Sequence, residues 1–354
     1  MIEEHLIRSL TMKKTLFISL SILVFWISDP VFCQAEGQQI TIMFWNVENL
    51  FDPFDDSLTL DDEFTPEGER YWTWLRFKHK INNIYKVIAM AGGWEPPDII
   101  GFCEIENRWV LDQLARNTPL SKYEYRIIHY DSPDPRGIDV GFLYLPGSFN
   151  PAYSAPLRVK GLKQEDEPTR DILYVKGIIQ GPDTVHLFVN HWPSRYQGET
   201  GSAYKRHAAA KTLKQHTDSL FRLDSNSRII VFGDFNDEPT DQSISGIIAT
   251  VNISGDIDAT SLYNLPIPVK CTYPGTQKYH GKWFFFDQFI ISGNLLNEID
   301  SCYMKVLDFD FLLEEDEQYT GLKPFRTYNG YHYQGGFSDH LPVCLYMYYS
   351  RQSF

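Results

Sequence analysis

The sequence predicts an α+β fold in which many short strands surround one core and a few long helices cover them. Three observations carry that expectation. Short apolar runs rich in Val, Ile and Phe recur along the chain and stop at Gly, Pro or a polar side chain, as strands do. Two long stretches, Trp72 to Met90 and Ala203 to Leu223, instead carry apolar residues at helical spacing. The 354 residues are 43% hydrophobic and 15% aromatic, ample for a large core.

The first residues read as a targeting segment. Lys13-Lys14 precede the apolar run from Thr15 to Ile27, and Cys33-Gln34-Ala35 offers small residues for cleavage before Glu36. We therefore expect a signal peptide over residues 1–35 that starts at Met12, and a single domain over 36–354. Phe32 is bulky where a lipidated Cys33 wants a small neighbour. Export to the periplasm or the extracellular space follows. The mature chain has no stretch that reads as a transmembrane segment, and nothing in it points to a protein partner.

Taken in order, the elements share one habit, which is that they end on polar groups. Ile40 to Asn46 forms the first strand, with Glu48 two residues on. Asp52 to Glu69 is acidic and rich in turn formers, but Asp55, Asp56, Asp61 and Asp62 lack the spacing of a calcium loop, so a solvated surface insertion is expected. The Trp72 to Met90 helix stops at Gly92-Gly93. A buried strand from Asp98 to Glu104 then finishes on a carboxylate, which needs a cation or a basic partner.

Strands continue at Tyr123 to Tyr130, Ile138 to Leu145, Leu173 to Ile179 and Val185 to His191. The last runs into Asn190-His191-Trp192-Pro193-Ser194-Arg195, a group able to bind an oxyanion. After the Ala203 to Leu223 helix, Ile229 to Phe232 is a buried strand closed by Gly233, where Asp234 and Asn236 project two residues apart. An acid beside an amide suits a reaction that activates a water and donates to an anionic oxygen, although Gly-Asp-x-Asn also makes an ordinary turn. A helix from Asp241 to Ile248 and strands at Lys270 to Tyr273, Trp283 to Ser292 (with Asp287 inside) and Leu341 to Tyr348 complete the chain, with Asp339-His340 at the entrance of the last.

The net charge of −14 argues against a broad basic surface for nucleic acid and leaves a metal-filled cleft open. Cys103 and Cys344 sit in apolar strands and read as small buried hydrophobes, while Cys271 with Cys302 is the one pair worth testing as a disulfide. No Cys/His spacing suggests zinc.

Asn46, Glu48, Glu104, His191, Asp234, Asn236, Asp287, Asp339 and His340 thus all fall at strand ends. Hard carboxylate oxygens suit Mg2+ or Mn2+, and the chemistry that goes with such a site is attack of activated water on phosphorus.

In sequence order, Trp45-Asn46-Val47-Glu48-Asn49, Asp98 to Glu106, Asn190-His191, Gly233-Asp234-Phe235-Asn236, Phe286 to Ser292 and Ser338-Asp339-His340 resemble the motifs of the endonuclease/exonuclease/phosphatase superfamily. The resemblance implies a four-layer α/β/β/α sandwich similar to deoxyribonuclease I, with the site at one rim. It implies that Glu104 is the principal metal ligand, assisted by Glu48 and Asp339. Asp234 would orient or deprotonate the attacking water. Asn46 and Asn236 would hold phosphate oxygens or the acids. His340, paired with Asp287, would stabilise developing charge, and His191 would contact the phosphate or the leaving group. Gln288 and His191 stand where base-excision nucleases carry tyrosines, which leans away from abasic-site repair.

Asn190, Arg195 and Arg136 are the expected further substrate contacts, with Asp139 a candidate carboxylate partner for His191; a surface turn explains Arg136 and Asp139 equally well. The aromatic loop Tyr328 to Tyr333, preceded by Arg326, can stack bases, sugars or headgroups, or simply pack. The expected activity is an exported metal-dependent phosphodiesterase acting on nucleic acid, DNA or RNA, or on nucleotides. The alternatives are a phosphomonoesterase or lipid-headgroup phosphodiesterase of the same fold and, from another class, a binding protein without catalysis.

Overall fold

The computed structural model describes residues 38–349, apart from 94, 180–183, 196–197, 249–252, 254–255 and 266–272. The expected signal peptide, most of the 270–273 strand and Cys271 lie outside the described residues. Twelve strands build two six-stranded sheets. In chain order they are β1 (Gln38–Leu50), β2 (Ile99–Ile105), β3 (Arg126–His129), β4 (Asp139–Tyr144), β5 (Phe149–Leu157), β6 (Ile172–Ile179), β7 (Thr184–His191), β8 (Arg228–Asp234), β9 (Leu262–Asn264), β10 (Asp287–Ser292), β11 (Ser301–Val306) and β12 (Val343–Tyr349). The first sheet runs β11-β12-β1-β2-β4-β3 and the second β5-β6-β7-β8-β10-β9. β5 carries Pro151 and Pro156, which an edge strand tolerates because it lacks one line of ladder bonds.

Each sheet is built on one central parallel pair, β1 with β2 and β7 with β8, flanked by antiparallel strands. Strand alternation then sorts the side chains into layers. Ile230 and Phe232 of β8 join the core shared with the first sheet, while Ile229 and Val231 face the other way and join Ala209, Ala210 and Leu213 of a long helix. Phe44 of β1 meets Phe232 across the interface, ring centroids 6.2 Å apart.

The outer layer on the first sheet is α1 (Trp74–Ala91) with α2 (Arg108–Arg116); on the second it is α3 (Glu199–Leu223) with one π-type turn, Gln242–Ile248. A short α4 (Gly293–Glu298) follows β10. The order helix, sheet, sheet, helix is the expected four-layer sandwich. Thr73 caps α1 by accepting from the Arg76 N–H, which is why the helix starts two residues later than the apolar pattern suggests. These elements belong to one compact unit, Gly37–Phe354. No helix among the described residues is long and apolar enough to cross a membrane.

Three expectations need correction. The expected 283–292 strand is broken, with Lys282–Phe284 in a hairpin and Asp287 opening β10, because the N–H groups of Phe286 and Asp287 turn toward Thr276 Oγ1. Asp52 to Glu69 is not simply solvated. Phe64 is buried and stacks on Phe51 with centroids 4.2 Å apart, and Asp61 is buried too. Finally, α2, β5 and β11 were not anticipated, since each is short or has few apolar residues to set a period.

Gly233 shows how tightly the rim is built. Its φ is 150°, and a Cβ there would lie 2.2 Å from the Asn190 carbonyl oxygen on the parallel neighbour. Gly233→Ala is expected to destabilise the fold by about 3 kcal/mol or more, read as a fall in Tm. An unchanged Tm would mean that β7 moves aside freely.

Candidate active site

Register alone brings three of the expected residues into a row. In the second sheet His191 lies opposite Asp234 on the parallel pair, and Asp287 lies opposite Asp234 on the antiparallel one. In the first sheet Asn46 is level with Cys103, one residue before Glu104. The ends of four parallel strands and the starts of two antiparallel ones therefore meet at one rim.

The backbone leaves the pleat at the same place. Glu48, Asn49, Glu104 and Asn236 have φ of 51°, 53°, 60° and 51°, a left-handed conformation that non-glycine residues seldom hold. Ladder pairing shifts between Asn46 and Leu50 and between Cys103 and Ile105. These irregularities re-aim Glu48 and Glu104, as bulges beside active sites commonly do.

Asn46 ties the two sheets together. Its Nδ2 donates to Asp234 Oδ2 at 3.0 Å and to Glu104 Oε1 at 3.2 Å, and its Oδ1 accepts from the Glu48 N–H at 3.0 Å. The Asn49 N–H donates to the other Glu104 oxygen at 2.8 Å. Asp287 Oδ2 holds His340 Nδ1 at 2.8 Å, while His340 Nε2 faces Asp234 Oδ2 at 3.8 Å. His191 Nε2 lies 3.8 Å from Asp234 Oδ2 and 3.9 Å from Glu104 Oε1.

The two histidines are driven to opposite charge states. Burial and the Arg170 and Arg136 guanidiniums hold His191 well below the ordinary imidazole range, so it is neutral. Burial acts the same way on His340, but the Asp287 and Asp234 carboxylates outweigh it and hold His340 well above that range. Asp234 is pushed up to about 6 by burial, against the pull of His340. Titratable groups forced apart in this way are a mark of assigned acid and base roles.

Two of the three acids expected to bind metal share a guanidinium. Arg326 Nε donates to Glu48 Oε1 at 3.1 Å, and its Nη2 lies 3.0 Å from that oxygen and 3.3 Å from Asp339 Oδ2. Glu104 is the third acid whose charge Arg326 feels. Burial and the nearby Asp339 raise Glu48 above the usual carboxylate range, while Arg326 and His340 overcome burial and hold Asp339 below it. Glu48 and Asp339 share this guanidinium and repel one another, and hard carboxylate oxygens of this kind suit a divalent cation of the magnesium type. Among the described residues, the groups whose ligand atoms lie within 4.8 Å of one another are Asp234, Asp287 and His340; Cys103, His191 and Asp234; and His129, Asp131 and Asp139.

Not every expected residue reaches the cleft. Asn190 is buried, with its amide donating to the Phe188 and Phe232 carbonyls and its oxygen accepting from Trp192 Nε1, so alternation has turned it away from His191's face. Arg195 is held by the Asn236 carbonyl at 2.8 Å and by Asp237 at 2.9 Å, and stacks on Phe286. Asn236 braces the rim, its Nδ2 on the Trp192 carbonyl and its N–H on Asp234 Oδ1. Asp139 pairs with His129 Nε2 at 3.1 Å rather than with His191. Arg136 lies beside the rim, with about half of its side chain exposed. Asp339 and His340 do serve different partners, as adjacent residues at a strand entrance should.

Lys80 was missed. It is buried on α1 and donates to Thr327 Oγ1 and the Phe337 carbonyl, and burial lowers it to about 8 despite the pull of Glu48 and Asp339. Its position between Phe77 and Ile84 on the core face was the available signal, because a lysine there must have a polar partner.

A family model for the endonuclease/exonuclease/phosphatase family matches residues 41–349. The chain belongs to the endonuclease/exonuclease/phosphatase family. As a member it is a phosphoester hydrolase, and the family's enzymes depend on a divalent metal. A search of curated proteins finds no match. Solved family structures are similar in fold. An endonuclease/exonuclease/phosphatase family protein from Bacteroides thetaiotaomicron is 14% identical, with a TM-score of 0.54 and coverage of 89% of this chain and 100% of that one. The human Nocturnin catalytic domain with bound sulfate is 17% identical, with a TM-score of 0.52 and coverage of 88% and 94%. A mannosyl-6-phosphatase from Bacteroides thetaiotaomicron is 15% identical, with a TM-score of 0.51 and coverage of 86% and 98%.

Proposed function

We propose that this chain is an exported, Mg2+- or Mn2+-dependent phosphodiesterase acting on nucleic acid or nucleotides by attack of activated water. The single observation that carries the mechanism is the Asp287–His340–Asp234 line, with the His340 imidazole between two buried carboxylates. Glu104, Glu48 and Asp339 would hold the metal, which when bound supplies Lewis-acid polarisation of the phosphoryl oxygens. Asp234, anchored by Asn46 and Asn236, orients the attacking water and takes its proton as the new O–P bond forms. His340 donates its Nδ1–H to Asp287, and its Nε2–H stabilises the charge that builds on the phosphoryl oxygens as the bond to the leaving group breaks. Neutral His191 offers a hydrogen bond to phosphate or leaving group without adding charge. Asn46 spans Glu104 and Asp234 and so positions metal ligand and base relative to each other. The lysine-led apolar stretch near the start of the chain supports export.

The second reading is a phosphomonoesterase. It is favoured by the net charge of −14 and by the similarity to a mannosyl-6-phosphatase. Plasmid, single-stranded RNA, bis(p-nitrophenyl) phosphate and mannose 6-phosphate, each with Mg2+ and with EDTA, separate the two. We expect diester cleavage that drops more than 100-fold on chelation and returns with Mg2+ or Mn2+. Diesters left intact while the monoester is consumed would replace the first reading with the second, and activity indifferent to EDTA would remove the metal from both.

A further inference from the structure

The connection between β1 and α1, residues 52–73, fastens two loops that lie far apart in the sequence. The Leu60 N–H donates to the Pro135 carbonyl at 2.8 Å, and Arg70 Nη1 donates to the Gly330 carbonyl at 2.8 Å. One contact secures the turn that carries Arg136, the other the loop that carries Tyr331. Between them opens a cleft of about 590 Å3, lined among others by Arg70, Arg136, Arg170, Ser194, Lys205 and Tyr331. Its size is that of a small-molecule site.

The cleft abuts the catalytic rim. Arg170 donates to the Trp192 carbonyl at 2.7 Å, next to His191, and is fixed on its other side by Asp134 at 2.9 Å. Asp134 also meets Arg136 Nε at 3.4 Å, leaving about half of the Arg136 side chain exposed. Opposite, Tyr331 is 56% exposed, while the Arg70 guanidinium sits 5.1 Å from its ring centroid and 5.2 Å from that of Tyr328. A ring held on one side by a cation is a rigid stacking surface on the other.

We propose that this cleft binds the leaving-group side of the substrate, with a nucleobase-like ring on Tyr331 and a second phosphate on Arg136, so that the enzyme takes short single-stranded oligonucleotides. The inference rests on the phosphodiesterase reading above and adds the second phosphate to it. An exposed guanidinium held by its Nε has its remaining N–H groups available for a phosphate, and stacking tolerates any base. The cleft's lining mixes Arg70, Arg136, Arg170 and Lys205 with Glu63, Asp134 and Glu167, so in a strongly acidic protein the half-exposed Arg136 suits one phosphate of a short strand better than the backbone of a long duplex.

Two measurements on the mature protein with Mg2+ test this. In the first, kcat/KM is compared for a single-stranded hexanucleotide and for bis(p-nitrophenyl) phosphate, which has no second phosphate. Arg136→Ala should lower the hexanucleotide value at least tenfold, mainly through KM, and by at least three times as much as the small-diester value; Arg136→Lys should recover most of the loss. In the second, fluorescence anisotropy follows binding of a labelled hexanucleotide to the Asp234→Asn protein, where adding Arg136→Ala or Tyr331→Ala should weaken binding at least tenfold and Tyr331→Phe should not. Equal losses on both substrates, or binding unchanged by either alanine, would overturn the cleft assignment while diester hydrolysis stands. Binding that depends on Arg136 and Tyr331 in a protein that hydrolyses no diester would instead overturn the phosphodiesterase reading and leave the cleft.

Discussion

Asp234→Asn is expected to lower kcat by about 1,000-fold while the protein stays folded, because the position is a buried base whose only function-specific property is its charge. The side chain is 1% exposed and both of its oxygens accept, Oδ2 from Asn46 Nδ2 and Oδ1 from the Asn236 N–H, so an amide keeps the shape but loses one of these bonds, a cost of about 1–3 kcal/mol that leaves the fold standing. The wild-type pH profile carries the same signature. Since burial places Asp234 at about 6, activity should fall as the pH drops through that value, and this limb should vanish from the residual activity of the variant. The sign for stability is the reverse of a salt-bridged carboxylate. A raised acid favours folding below its unfolded value and loses that contribution as pH rises through about 6, so ionised Asp234 is a net burden at neutral pH. A variant retaining a tenth of wild-type kcat would remove Asp234 from the role of base.

His340→Ala should damage both activity and stability. The Asp287 side chain is fully buried, and its Oδ1 has no hydrogen-bond partner, so the imidazolium is its principal compensation. Removing it strands a buried charge at a cost of about 3–5 kcal/mol. It also deletes a preorganised cation, for a loss in kcat of about 100-fold or more. Because the folded His340 lies well above its unfolded value of about 6.5, its stabilisation is complete below that pH and fades as pH rises through the folded value. Wild type should therefore lose Tm on the alkaline side faster than the variant. The double variant Asp287→Asn/His340→Ala should regain much of the Tm and none of the activity. Parallel Tm-against-pH curves for wild type and His340→Ala would show that the pair is not charged in the folded state.

Much of the candidate site was legible because strand chemistry is local. An apolar run that stops at Gly233 and continues as Asp234 announces a strand mouth, and the same holds for Glu104, His191 and Asn46. The order of those motifs pointed to the four-layer sandwich that the alternation of Ile229 to Phe232 between two cores then displays. The faults were equally local in origin. Asn190 follows the same strand as His191, but period two turns it into the core, and the left-handed Asn236 is used to brace a loop.

Local patterning is enough to say which residues stand at strand ends, and so to assemble a set of oxygen donors, two imidazoles and the buried Asp234. Only the tertiary structure decided what those groups face. Arg326 reaches Glu48 across 278 positions, Lys80 reaches Thr327 across 247, and the β1–α1 connection joins Arg136's turn to Tyr331's loop. The physical reason is that periodicity specifies a face of an element, whereas a charge partner depends on which two faces the whole sandwich brings together.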